Sequence, residues 1–170
     1  MFWSDWGVTA KIERSTLLGE SRKTIVSGGL VWPNDIAIDY KKKKLFWTEA
    51  KLDKIECSDY NGNNRLVIYQ RRGIHPFGIV VLGSFLYWTD WKTGLHIMNL
   101  TNNGSVTSRT LPGPQSSLFG LARITGNLSK FIVFEFHSFM FMVLANHYFI
   151  LFINLTKMFI LISQKALHAI

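Results

Sequence analysis

The chain has 170 residues, 19 Lys and Arg against 11 Asp and Glu, a net charge of +8 and one cysteine. The lone Cys57 excludes a disulfide framework and a cysteine zinc site. The charge is scattered, and its densest run, 41–44, has no DNA- or RNA-binding signature beside it; it reads first as a solvated turn and second as contact for an anionic partner such as a sulfated glycan.

Taken in chain order, Phe2-Trp3-Ser4-Asp5 opens as an aromatic-rich strand. Its pattern returns as Phe46-Trp47-Thr48-Glu49 and Tyr87-Trp88-Thr89-Asp90, the tryptophans lying 44 and then 41 residues apart. Ile12, Ile55 and Ile97 follow them by 9, 8 and 9 residues, and Gly19, Gly62 and Gly104 each follow that isoleucine by 7. Pro33 and Pro76 stand 43 apart, each before a short apolar strand. One supersecondary unit is therefore copied several times.

The unit at 33–70 predicts strands at 36–40, 45–49, 54–57 and 66–69, with Asn61-Gly62 as a hairpin turn that needs positive φ. Four antiparallel strands in about 43 residues make one blade of a β-propeller. On this reading 1–126 is a partial propeller: three strands of a blade (1–28), blades at 33–70 and 75–112, and a further strand near 118–123. Cys57 is expected on an outer strand, where serine would serve. Residues 127–170 form a hydrophobic tail, expected to be non-native, disordered or helical. Glu135, His137, Asn146, His147, Asn154 and Lys157 interrupt it, which argues against a membrane span. Sequons at Asn99, Asn103, Asn127 and Asn154 are glycosylation candidates. No secretory signal is legible at Met1.

No Ser/His/Asp set, phosphate loop or metal-ligand spacing appears, so neither an enzyme nor a cofactor or metal is expected. Recurrence gives Asp5, Glu49 and Asp90 a structural role, and Trp3, Trp47 and Trp88 a core role. The residues that do not recur are more telling. The start of a blade's first strand and the end of its second lie at one face of the ring. That face gathers Trp6, Trp32, Phe77 and Trp91 around Asn34 and His75. Aromatics beside an amide suit a protein-binding hot spot; the alternative is that they fill the rim by packing on each other.

The repeat resembles the YWTD blade of the LDL-receptor class B family, whose propellers have six blades. The chain would hold about half of that ring. The resemblance implies an all-β fold in which the repeated acid ties neighbouring blades, with Glu49 departing from Asp. Gly7 to Arg14, Trp32-Pro33-Asn34, Asp39-Tyr40, Ala50-Lys51-Leu52, His75-Pro76-Phe77 and Tyr87 to Trp91 are similar to the first propeller of the LDL-receptor-related Wnt co-receptors. That implies an extracellular, cell-surface propeller binding Wnt ligands or secreted antagonists. It also implies further blades and an EGF-like module as partners within the same receptor. Asn34 would bond an antagonist's Asn, and Trp32 and Trp91 would wall an apolar pocket. An endocytic lipoprotein receptor, a nidogen-type propeller and a non-functional truncated fragment remain alternatives.

Overall fold

The computed structural model describes residues 1–101, 106–109, 118–124, 130–135, 141–145 and 148–152; side-chain surroundings are described for 1–101 and Leu121. All regular structure among these residues is strand. The first sheet has three strands, β1 (Phe2–Asp5), β2 (Lys11–Arg14) and β3 (Lys23–Ser27), in that order. The second runs β4 (Pro33–Asp39), β5 (Lys44–Glu49), β6 (Lys54–Asp59), β7 (Leu66–Gln70). The third runs β8 (Pro76–Leu82), β9 (Phe85–Asp90), β10 (Gly94–Asn99), β11 (Val106–Arg109). Each is an antiparallel meander, as expected of a blade. β4 packs against β8, and β8 against β12 (Leu118–Ile124), so the first strands of successive blades lie side by side.

The first strands start earlier than the sequence suggests. β4 begins at Pro33, and its pairing with β5 slips between Pro33 and Ile36; β8 repeats this between Pro76 and Ile79. Proline has no N–H to give the ladder, so an irregularity beside it is the expected accommodation.

Each tryptophan of the repeat packs on the sheet before its own. Trp47 joins Ile12 and Val26 of the first sheet, and Trp88 joins Ala37, Phe46 and Ile55 of the second. Both are fully buried, whereas Trp3 is half-buried. Cys57 corrects the expectation of an interchangeable outer position. It is buried in the Trp88 cluster, and burial pushes its thiol pKa up.

Two buried glutamates, not foreseen, repeat at the same register. Glu13 takes Arg22 at 2.6 and 3.2 Å and Lys11 at 3.3 Å. Glu56 takes Arg65 at 2.9 and 3.0 Å and Lys54 at 3.2 Å. Each arginine also lies over a repeat tryptophan, Arg22 over Trp3 and Arg65 over Trp47.

The tail departs from the expected helix or disorder. β13 (Lys130–Glu135), β14 (Phe141–Ala145) and β15 (Tyr148–Phe152) pair in turn with β12 to make a fourth sheet. Short Phe-, Ile- and Val-rich segments broken by polar residues suit strands better than one long helix. Among the described residues no helix is long and apolar enough to cross a membrane. The expectations for 153–170, Asn103, Asn127 and Asn154 fall outside the described residues.

Candidate functional site

The repeated tetrapeptide builds the candidate site. Glu49 ends β5, is fully buried, and accepts the backbone N–H groups of Val31 and Trp32, both at 2.8 Å. Asp90 ends β9 and accepts the N–H of His75 at 2.6 Å, and those of Lys92 and Thr93 at 2.8 and 2.9 Å. The acid therefore fixes the residue before each proline. The longer Glu49 spends both oxygens on the lead-in segment, while Asp90 divides its bonds between that segment and its own turn. Carbonyls complete the clamp: Trp32 O accepts from Ala50 N, and His75 O from Trp91 N.

This corrects the role implied by the resemblance. The acid binds the segment leading into its own blade. The boundary between blades is crossed instead by Thr48 and Asp35. Thr48 Oγ1 donates to Phe77 O at 2.6 Å and accepts Asp35 N–H at 3.2 Å. The Asp35 carboxylate accepts Ile79 N–H across the boundary and its neighbour Ile36 N–H, each at 2.8 Å. Burial pushes this carboxyl up to about 6, against the pull of those two bonds. Asp35 lines a cavity of about 280 Å³ between β4, β8 and β12, with Ala37, Ile79, Val81 and Leu121 among its walls.

The rings held this way form a continuous strip. Trp6 meets Trp32 edge-on with centroids 6.3 Å apart; Trp32 meets His75 edge-on at 6.0 Å. His75 lies 4.6 Å from Trp91, and Phe77 stacks on Trp91 at 5.4 Å with planes 8° apart. Trp6 is 61 % exposed, and the other four rings are half-buried. Lys51 Nζ sits 5.0 Å from the Trp32 ring centre, in cation–π range. Burial lowers the His75 pKa most; Asp90 and Asp53 raise it, and Lys92 and Lys51 lower it further. Asn34 is half-buried beside the strip, and its Nδ2 donates a long 3.4 Å bond to Pro76 O.

All six residues singled out by the sequence thus lie on or beside one strip. Asp5 does not share the role of Glu49 and Asp90: it is exposed, and no lead-in N–H reaches it among the described residues. Asn99 is half-buried at the opposite end of its blade, with Oδ1 accepting from Thr101 N and Oγ1 at 2.9 and 2.7 Å. Among the described residues no group of His, Cys, Asp or Glu is arranged to hold a metal. Thr48 and Asp35 were missed by sequence reasoning. The available signal for Asp35 was that it stands where the next blade has Gly78, 43 residues on.

A strip of rings on meander sheets that pack strand to strand defines a propeller used for binding. Residues 1–40 and 43–81 match the family model for the low-density lipoprotein receptor repeat class B, so this part of the chain consists of class B repeats. The repeats are those of receptors, not of enzymes. The vitellogenin receptor Yl of Drosophila melanogaster is 36% identical over 93 residues, which is 55% of this chain and 5% of that protein. The human low-density lipoprotein receptor-related protein 5-like protein is 36% identical over 91 residues, 54% of this chain and 36% of that protein. The chain thus spans a minor part of these relatives. A chain in a crystal structure of a nidogen/laminin complex superposes with TM-score 0.70 at 25% identity, over 84% of this chain and 55% of that one. Virginiamycin B lyase from Staphylococcus aureus superposes with TM-score 0.65 at 16% identity, over 91% of this chain and 55% of that one, and shares the fold alone.

Proposed function

We propose that the chain is a ligand-binding part of an extracellular, LDL-receptor-related propeller of the Wnt co-receptor type. It binds Wnt ligands or secreted antagonists at the cell surface through the ring strip. The observation that carries this reading is the strip itself: five rings held in contact by the repeat, with the Asn34 amide at their side. Nothing in the period of the repeat demands rings at these positions. Similarity to the receptor-related protein 5-like protein supports the Wnt branch.

In the proposed complex an apolar ligand side chain lies against Trp32 and Trp91, and Asn34 exchanges its long bond to Pro76 for one to a ligand amide. Central aromatic anchors of this kind carry most of the energy of a protein interface. Trp32→Ala, Asn34→Ala and Trp91→Ala are each expected to cost about 2 kcal/mol or more of affinity for a Wnt antagonist. Surface plasmon resonance with a propeller containing these repeats tests this, and unchanged affinity in all three variants contradicts it.

A second reading, an endocytic receptor, is favoured by the vitellogenin receptor similarity and by His75 at the centre of the strip. Ligand affinity compared at about pH 7.4 and about pH 5.5 separates the two, since His75 gains charge only toward the lower value. Loss of ligand at low pH that His75→Gln abolishes would favour endocytic release.

A further inference from the structure

The ring strip is bordered by cations. Lys51 and Lys92 occupy equivalent turns after the second strands of their blades, and both are exposed. Lys51 lies over Trp32, and both lysines act on His75, which places them at the middle of the strip. Arg71 and Arg72, also exposed, stand in the adjoining segment that leads to His75. Among the described residues none of these four makes an ion pair.

The carboxylates on this face are committed. Glu49 and Asp90 are fully buried and saturated with backbone N–H groups. Asp53 is half-buried and accepts Gly73 N–H at 2.8 Å. Asp5 lies beyond the centre, next to Trp6. The centre of the strip therefore offers apolar rings to one part of a ligand and uncompensated positive charge to its flanks.

We propose that the strip receives its protein ligand through an acidic segment carrying an apolar side chain. The apolar side chain lies on Trp32, His75 and Trp91, and carboxylates on either side of it meet Lys51 and Lys92. This rests on the strip being the binding site, and adds the chemistry of what binds. A peptide fits better than a sulfated glycan because five rings and an amide give a glycan chain little use for the apolar area.

Two heptapeptides with one core test it: Asp-Glu-Asn-Ala-Ile-Glu-Asp and Lys-Lys-Asn-Ala-Ile-Lys-Lys, fluorescently labelled and titrated against the full chain by anisotropy. The acidic peptide is expected to bind at least about tenfold tighter, with the difference shrinking as salt rises from about 50 to about 500 mM. Joint Lys51→Glu and Lys92→Glu substitution should weaken it about tenfold. Joint Lys41→Glu and Lys42→Glu substitution, which changes net charge equally on the opposite face, should leave it nearly unchanged. Equal loss from both lysine pairs would assign the effect to overall charge, and tighter binding of the basic peptide would reverse it; either overturns the proposal. A heparin fragment that displaces the acidic peptide and still binds Trp32→Ala normally would overturn it in favour of a plain anion surface. If Trp32→Ala and Trp91→Ala leave both peptides' affinities unchanged, the ring strip fails as the site. If they weaken binding but the acidic peptide shows no advantage, the strip stands and only the acidic ligand is refuted. Far-UV circular dichroism confirms that each variant keeps its strands.

Discussion

The first sheet and the second carry the same tetrapeptide to different ends. In the second, Trp47 is fully buried on Ile12 and Val26, and Glu49 clamps the lead-in at Val31 and Trp32. In the first, Trp3 is half-buried and Asp5 exposed. β1 lacks what β5 has: a first strand beside it, a lead-in segment at its end, and a preceding sheet to receive its tryptophan, among the described residues. The motif is thus not a stabiliser in itself. It becomes one when a neighbouring sheet covers its ring and a lead-in segment supplies N–H groups to its acid. The ring strip belongs to the sheets where both conditions hold.

Substituting the tryptophans should sharpen that contrast most. Trp88→Ala is expected to lose about 4 kcal/mol, the cost of a large cavity in a sheet-to-sheet core. Trp3→Ala should lose about 1 kcal/mol, because much of its surface is already in water. Urea unfolding followed by circular dichroism measures both, and equal losses would break the comparison.

The contact between the two sheets is tested next by a glycine. Gly62 has φ +83°, and a Cβ there would lie 1.8 Å from the Ile25 carbonyl oxygen of β3. The turn between β6 and β7 is pressed onto the first sheet. Gly62→Ala is expected to cost about 3 kcal/mol, from strain and displacement together. Gly73→Ala has a similar φ of +82° but open space, and should cost only about 1 kcal/mol. Similar midpoints for the two variants would mean the turn does not dock.

The paired glutamates give a smaller difference. Arg65 bonds Glu56 and also reaches the first sheet's exit, donating to Gly28 O at 2.7 Å and Gly29 O at 3.2 Å. Arg22 bonds Glu13 and Trp3 covers its other side. Arg65→Ala is expected to cost about 2 kcal/mol, since it removes one partner of a buried carboxylate and a tie between sheets. Arg22→Ala should cost under about 1 kcal/mol, most of its guanidinium being in water.

The smallest expected effects are in pH dependence, and they have opposite signs. Asp35 has its pKa raised from 3.8 to about 6, so the folded chain holds a proton that the unfolded chain releases. Its contribution to stability grows as pH falls through about 6 toward 3.8, and Asp35→Asn should flatten that limb. Glu13 has its pKa lowered from 4.5 to about 2, chiefly by the Arg22 bonds. Its contribution is complete above 4.5 and is lost as pH falls through about 2, so Glu13→Gln should flatten the acid limb. Urea midpoints across pH for the three proteins check both signs.

Much of this was legible because the repeat is written in residue types that only one environment tolerates. Trp47 and Trp88 at fixed spacing announced a core, and Asn61-Gly62 announced a turn. The ring strip was legible because antiparallel order alone puts residues 32, 50, 75 and 91 at one face. Glu13 and Glu56 were not, since a charged residue nine positions from an arginine reads as surface until both are folded over a tryptophan. Asp35 was missed because its partner, Ile79 N–H, belongs to another blade. Cys57 was misplaced because alternation within a strand does not reveal that the next blade covers its outward face. The tail was read by hydropathy summed over many residues, whereas its strands are only five or six residues long.

The most direct test of the ring strip as the ligand site is photo-crosslinking from its two faces. A photoreactive side chain is placed at Asn34, beside the strip, or at Tyr40, exposed at the far end of β4. Each protein is then irradiated with a secreted Wnt antagonist. Crosslinking from position 34 and not from position 40 is the predicted result. Capture from position 40 alone, or equally from both, would contradict it.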